Sequence, residues 1–215
     1  MQDYQIAIGI VGILVLVVAT MRSSTAFAWG PERETFVIEE PASYVTFNSI
    51  INNSNYGDER NFLIAKGVSE DSSSWRDVVK VEEDGDYIIR LFVHNNAAGN
   101  LNLFAAGAKV QISLPSDKTD RIEVNGYISA ANANPPKIWD QVVFKSDKRK
   151  FGLAYVIGSA RYFTNVNPSD GFAISDDVVS SEVLVGYDQM DGSIRGCYEY
   201  SGILTIKIRA TIVEG

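Results

Sequence analysis

Leu204-Thr205-Ile206-Lys207-Ile208-Arg209-Ala210-Thr211-Ile212 sets Leu204, Ile206, Ile208, Ala210 and Ile212 on one side of an extended chain and Thr205, Lys207, Arg209 and Thr211 on the other. Successive side chains of a strand point to opposite faces, so this alternation predicts a strand with one face on a core and one in water. Tyr87-Ile88-Ile89-Arg90-Leu91-Phe92-Val93 repeats the pattern, with Tyr87, Ile89, Leu91 and Val93 on the core side. Further strand-like runs cover residues 35–40, 44–51, 61–66, 78–83, 109–114, 121–131, 138–145, 151–157 and 182–187. Turn-forming segments separate them: Glu83-Asp84-Gly85-Asp86, Ala98-Gly99-Asn100, Pro115-Ser116-Asp117, Asn134-Pro135-Pro136 and Asp191-Gly192. Short strands punctuated in this way predict an all-β, antiparallel β-sandwich. One domain over residues 29–215 is expected, with a boundary near Pro135-Pro136 as the other division.

The amino terminus reads differently. Ile6 to Met21 is a run of sixteen uncharged residues, followed by Ser23, Ser24, Thr25 and Ala26-Phe27-Ala28. An apolar core followed by small residues in an A-x-A arrangement is what a signal peptidase reads. Cleavage would fall between Ala28 and Trp29. As an N-terminal apolar helix the run spans about 24 Å, short of a bilayer core of about 30 Å. The n-region Met1-Gln2-Asp3-Tyr4-Gln5 has no Lys or Arg, and Arg22 lies on the far side, so charge bias does not set the usual orientation. Residues 1–28 are therefore a signal peptide or an N-terminal membrane anchor, and contact with a membrane is expected only through them.

Composition narrows the function classes. Formal net charge is −8, which opposes phosphate-backbone binding and excludes nucleic acid as the expected partner. The concentrated basic run, Lys145-Ser146-Asp147-Lys148-Arg149-Lys150, reads as a solvated hairpin turn. One cysteine, Cys197, excludes an intramolecular disulfide and a multi-cysteine zinc site, and one histidine, His94, excludes multi-histidine metal centres. No G-x-S-x-G elbow is present, and a His-dependent triad would have to use His94, which reads as an exposed residue at a strand end. The chain is therefore expected not to be an enzyme and to need no cofactor.

Loops carry function on such a scaffold. Asn52-Asn53-Ser54-Asn55-Tyr56-Gly57-Asp58-Glu59-Arg60-Asn61 and Asp188-Gln189-Met190-Asp191-Gly192 are rich in oxygen ligands. Asp58, Glu59, Asp188 and Asp191 are the candidate calcium ligands, since calcium takes six to eight oxygens; the competing reading is turns in which Asp or Asn bonds its own backbone. Trp75 and Tyr56 are the candidate ligand-stacking rings, Trp75 being expected exposed after Ser72-Ser73-Ser74. Lys80 and Asn96 are a weak isopeptide pair.

Val81-Glu82-Glu83-Asp84-Gly85-Asp86-Tyr87, feeding a long strand that ends in Val93-His94-Asn95, resembles a signature of immunoglobulin-like repeats on bacterial surfaces. Trp29-Gly30-Pro31-Glu32-Arg33, Tyr44-Val45-Thr46-Phe47-Asn48-Ser49-Ile50, His94-Asn95-Asn96-Ala97-Ala98, Gly186-Tyr187-Asp188-Gln189-Met190-Asp191-Gly192 and Gly196-Cys197-Tyr198-Glu199-Tyr200-Ser201-Gly202 extend the likeness. With these pieces the chain is similar to a family of uncharacterised exported proteins from candidate-phyla bacteria of the Saccharibacteria type. The resemblance implies an Ig-like or jelly-roll-like sandwich that is secreted or membrane-tethered at a bacterial cell surface. It supplies no activity. Arg195 stands where the resemblance leads one to expect Pro. The expected function is a surface interaction or structural module, adhesin-like or part of an envelope, whose partner is a protein or glycan on a cell surface. The other expectation is a carbohydrate-binding domain using exposed aromatics, with structural calcium as an option.

Overall fold

The computed structural model describes residues 28–213. Fourteen strands lie in chain order: β1 (Trp29–Gly30), β2 (Leu63–Gly67), β3 (Val78–Lys80), β4 (Gly85–Val93), β5 (Phe104–Ala105), β6 (Lys109–Ser113), β7 (Arg121–Ser129), β8 (Lys137–Lys145), β9 (Phe151–Tyr155), β10 (Arg161–Thr164), β11 (Asn167–Ala173), β12 (Val183–Leu184), β13 (Ile194–Arg195) and β14 (Gly202–Ile212). The only helical elements among the described residues are three short 3-10 turns. The protein is all-β. The expected N-terminal helix, Ile6 to Met21, falls outside the described residues.

One sheet has the order β1-β8-β7-β6-β12, with β3 added to β8 in parallel; a second runs β11-β10-β14-β4-β2, with β9 also on β14; β13 and β5 form a separate two-stranded sheet. All other pairings are antiparallel. β4 and β14, the two alternating segments, are adjacent central strands, in register from Gly202↔Val93 to Ala210↔Gly85. Their core sides meet as Leu204↔Leu91, Ile206↔Ile89 and Ile208↔Tyr87, and Leu204, Leu91, Ile206, Ile89 and Ile208 are fully buried. Each such aliphatic side chain contributes about 1.5–3 kcal/mol by leaving water. Inner residues of both sheets join one hydrophobic cluster. The sheets approach closely at Gly126 on β7, where an added Cβ would stand 2.8 Å from both Leu63 and Leu91 of the other sheet.

Two expected strands are not formed as such. Residues 35–40 and 44–51 make isolated bridges, including Phe36↔Ile50 and Phe47↔Asn95. The chain turns at Asn48, which has φ 46°, and Asn is among the few residues that tolerate this left-handed region. Its side chain substitutes for a strand neighbour beside β4, donating to the Phe92 carbonyl and accepting from the His94 N–H, both at 3.0 Å. Conversely, β10 and β11 form between residues 158 and 181, where no strand is expected. β11 carries Pro168 and Gly171 and is mostly exposed at the sheet margin, the position where a sheet accepts proline. Asn134-Pro135-Pro136 lies in the connection between β7 and β8, which pair directly.

Candidate functional site

The outer face of the second sheet is read from its register. One cross-strand row runs Ile64–Arg90–Thr205–Arg161 over β2, β4, β14 and β10. The next runs Lys66–Ile88–Lys207. On the other side of the Arg90 row lies an apolar row, Phe92–Ile203–Phe163. Beyond Lys207, Arg209 pairs with Asp86 at 2.8 Å. Four cations thus occupy two adjacent rows with no acid among them.

Aromatic rings hold two of these cations in place. The Arg90 guanidinium lies 4.6 Å from the Trp75 ring centroid and 5.3 Å from that of Tyr56, while Lys66 Nζ is 5.5 Å from Trp75. Tyr56 stacks on Phe92 at 3.9 Å. Cation–π contacts of this kind each contribute about 0.5–2 kcal/mol. Burial is the main cause that lowers the Arg90 pKa, with the Tyr56 charge acting the other way. Its Nε is buried and without a partner among the described residues. Beside the ladder, Trp75, Ile88, Phe163, Thr205, Lys207, Arg161 and the β9–β10 loop Val156–Ser159 line an open groove of about 550 Å³. Ligand sites typically enclose about 300–1,000 Å³. Ile157, 83% exposed, forms its rim.

Trp75 and Tyr56 therefore fall in one feature, as residues of one ladder. Trp75 is half-buried rather than exposed, because Arg90 and Lys66 lie against its ring. Arg90, Arg161, Phe163 and Lys207 were missed as candidates, though one signal was legible. The water-facing side of β4 carries Ile88 and Phe92, where a solvated strand face should be polar.

Behind the ladder lies a sealed polar cluster. Glu59 and His94 are 0% and 2% exposed. His94 Nδ1 lies 3.0 Å from both Glu59 carboxylate oxygens. Asn96 Nδ2 lies 2.8 Å from the same Nδ1. Asn53 and Asn96 donate to the same carboxylate at 2.5 and 2.9 Å, and Tyr198 packs edge-on to the His94 ring at 5.6 Å. The exposed strand-end position expected for His94 is overturned: the loop 52–61 folds over the end of β4 and covers it. The cluster pins that loop, and with it Tyr56, to the sheet.

The candidate calcium ligands are placed apart in their contacts. Asp58 is held by the Arg60 guanidinium and N–H; burial opposes its ionisation, but the Arg60 hydrogen bonds outweigh this and lower its pKa. Both Glu59 oxygens are engaged within the cluster. Asp191 accepts the Ser193 N–H at 2.8 Å, an Asx turn, and Asp188 is exposed. Among the described residues no three His, Cys, Asp or Glu groups converge as a metal site. Lys80 pairs with Glu82 and Asp147, while Asn96 is inside the Glu59 cluster, so the isopeptide pair is not brought together. Ala28 is the first described residue, and Trp29 opens β1, paired with Asp140 and covered by Arg60 at 4.3 Å.

Comparison with protein-family models, curated proteins and solved structures gives no match to this chain.

Proposed function

We propose that the chain is an exported, non-catalytic binding module, an Ig-like β-sandwich of a bacterial cell surface whose second sheet presents its binding face. The observation that carries this reading is the outer face itself. An aromatic ladder and a groove of about 550 Å³ lie on a sheet face that a purely structural module would keep polar and flat. The buried state of His94 and Glu59 agrees with a structural role for the one histidine. The test is retention of the full chain on an array carrying both polysaccharides and extracellular proteins, compared with Trp75→Ala and with Lys118→Ala on a remote loop. Retention lost in Trp75→Ala and kept in Lys118→Ala supports the reading; equal retention by all three removes it. Mass spectrometry of the exported protein tests location: a start at Trp29 means release, and an intact Met1 at the cell surface means tethering.

A further inference from the structure

We infer that the groove on the second sheet takes a carboxylate-bearing polysaccharide, in which an acidic pyranose alternates with a neutral one. The inference rests on the binding face proposed above and names its ligand class. Three observations carry it. First, charge: Lys66, Arg90, Arg161 and Lys207 share two adjacent rows in a chain whose formal net charge is −8. None of the four is in an ion pair among the described residues; Arg161 and Lys207 line the groove and Arg90 and Lys66 stand beside it, Lys66 and Arg161 each also donating to main-chain carbonyls. Of the acids on flanking elements, Asp86 is engaged on Arg209, Glu70 on Arg76 and the Gly67 N–H, and Asp176 on the Tyr155 hydroxyl and the Gly158 N–H, while Asp71 and Asp170 are exposed. Second, spacing: Arg90 and Arg161 flank Thr205, and Lys66 and Lys207 flank Ile88, so cations recur every second strand, about 10 Å apart. A polymer with an acid on every other sugar presents carboxylates at a similar interval. Third, ring surface: Trp75 and Phe163 line the same groove and offer flat faces for the C–H faces of a pyranose. A polyol phosphate has the charge but lacks such faces, which favours sugar carboxylates as the anion.

The experiment is calorimetric titration of the full chain with hyaluronan oligosaccharides, with their carboxyl-reduced neutral counterparts, and with a glycerol phosphate polymer. The acidic sugar should bind, more weakly as salt is raised, and the neutral and phosphate chains should not. Arg161→Ala combined with Lys207→Ala should weaken binding about tenfold or more, the loss of one to two charge-assisted contacts, and Lys207→Ala alone should weaken it in part with the melting temperature unchanged, because that side chain is exposed whereas Arg161 also donates to the Gly158 and Ala160 carbonyls. Neutral and acidic sugars bound equally, with both lost in Trp75→Ala, would overturn the anionic inference and leave the binding face standing. Equal binding of the phosphate polymer would overturn the sugar-ring part. If no polymer binds while an arrayed protein is still retained in a Trp75-dependent way, the ligand class is wrong and the face is a protein site.

Discussion

Asp140 on β8 accepts the main-chain N–H of Leu63 on β2 at 2.6 Å, so a carboxylate that is 1% exposed joins the two sheets. It also accepts the Gln141 N–H at 2.8 Å. Burial is the dominant influence and lifts its pKa to about 7, against the lowering effect of these N–H donors, and Asp77 lifts it further. An unfolded Asp titrates near 3.9, so the folded state holds the extra proton between about pH 4 and pH 7. Stability from this group is present below pH 4 and falls as pH rises through that window, by a few kcal/mol at most. Urea unfolding at several pH values should show that slope, and Asp140→Asn should flatten it. A slope unchanged in Asp140→Asn would assign the pH dependence to other groups.

Removing the ring that bonds a buried carboxyl leaves that carboxyl short of a partner. His94→Phe should therefore destabilise the protein by about 1–3 kcal/mol, read from the urea midpoint. Glu59→Gln should also destabilise, since its amide NH2 would face the NH2 of Asn53 or Asn96, both of which are held as donors by the N–H groups on their own oxygens. A loss below about 1 kcal/mol in His94→Phe, the size of an exposed pair, would mean the cluster is open to water.

Gly126→Ala places a methyl against Leu63 and Leu91 between the sheets, and overpacking of this kind costs about 1–3 kcal/mol. Gly152→Ala on β9 is the control, because its Cβ would meet only the flexible Lys118 side chain, nearest at 3.3 Å. Thermal melts should separate the two; equal melting temperatures would show that the sheets sit further apart than the Gly126 contacts imply.

Cys197 has φ 123° and ψ 146°, a region favoured almost only by glycine and costing other residues about 1–3 kcal/mol. Cys197→Gly should raise stability by about 1 kcal/mol once the greater freedom of unfolded glycine is offset, whereas Cys197→Ala retains the strain. A Cys197→Gly variant less stable than Cys197→Ala would mean that this backbone geometry carries no strain.

The all-β class and the core sides of β4 and β14 were legible because alternation is a local property: residues 87–93 and 204–212 each declare a buried face by themselves. The segment 44–51 alternates poorly, and its fate depended on Asn48 standing in for a strand beside β4. The Asx turn at Asp191 was legible for the same local reason. What the sequence by itself determined is which side of each strand faces water. Only the tertiary structure decided what that side assembles into. Arg90, Thr205 and Arg161 are far apart along the chain, and register alone makes them neighbours, since pairing Thr205 with both Arg90 and Arg161 brings two cations within about 10 Å. The burial of His94 was likewise decided by a loop folding over a strand end, a contact between residues 35 positions apart that no periodicity encodes.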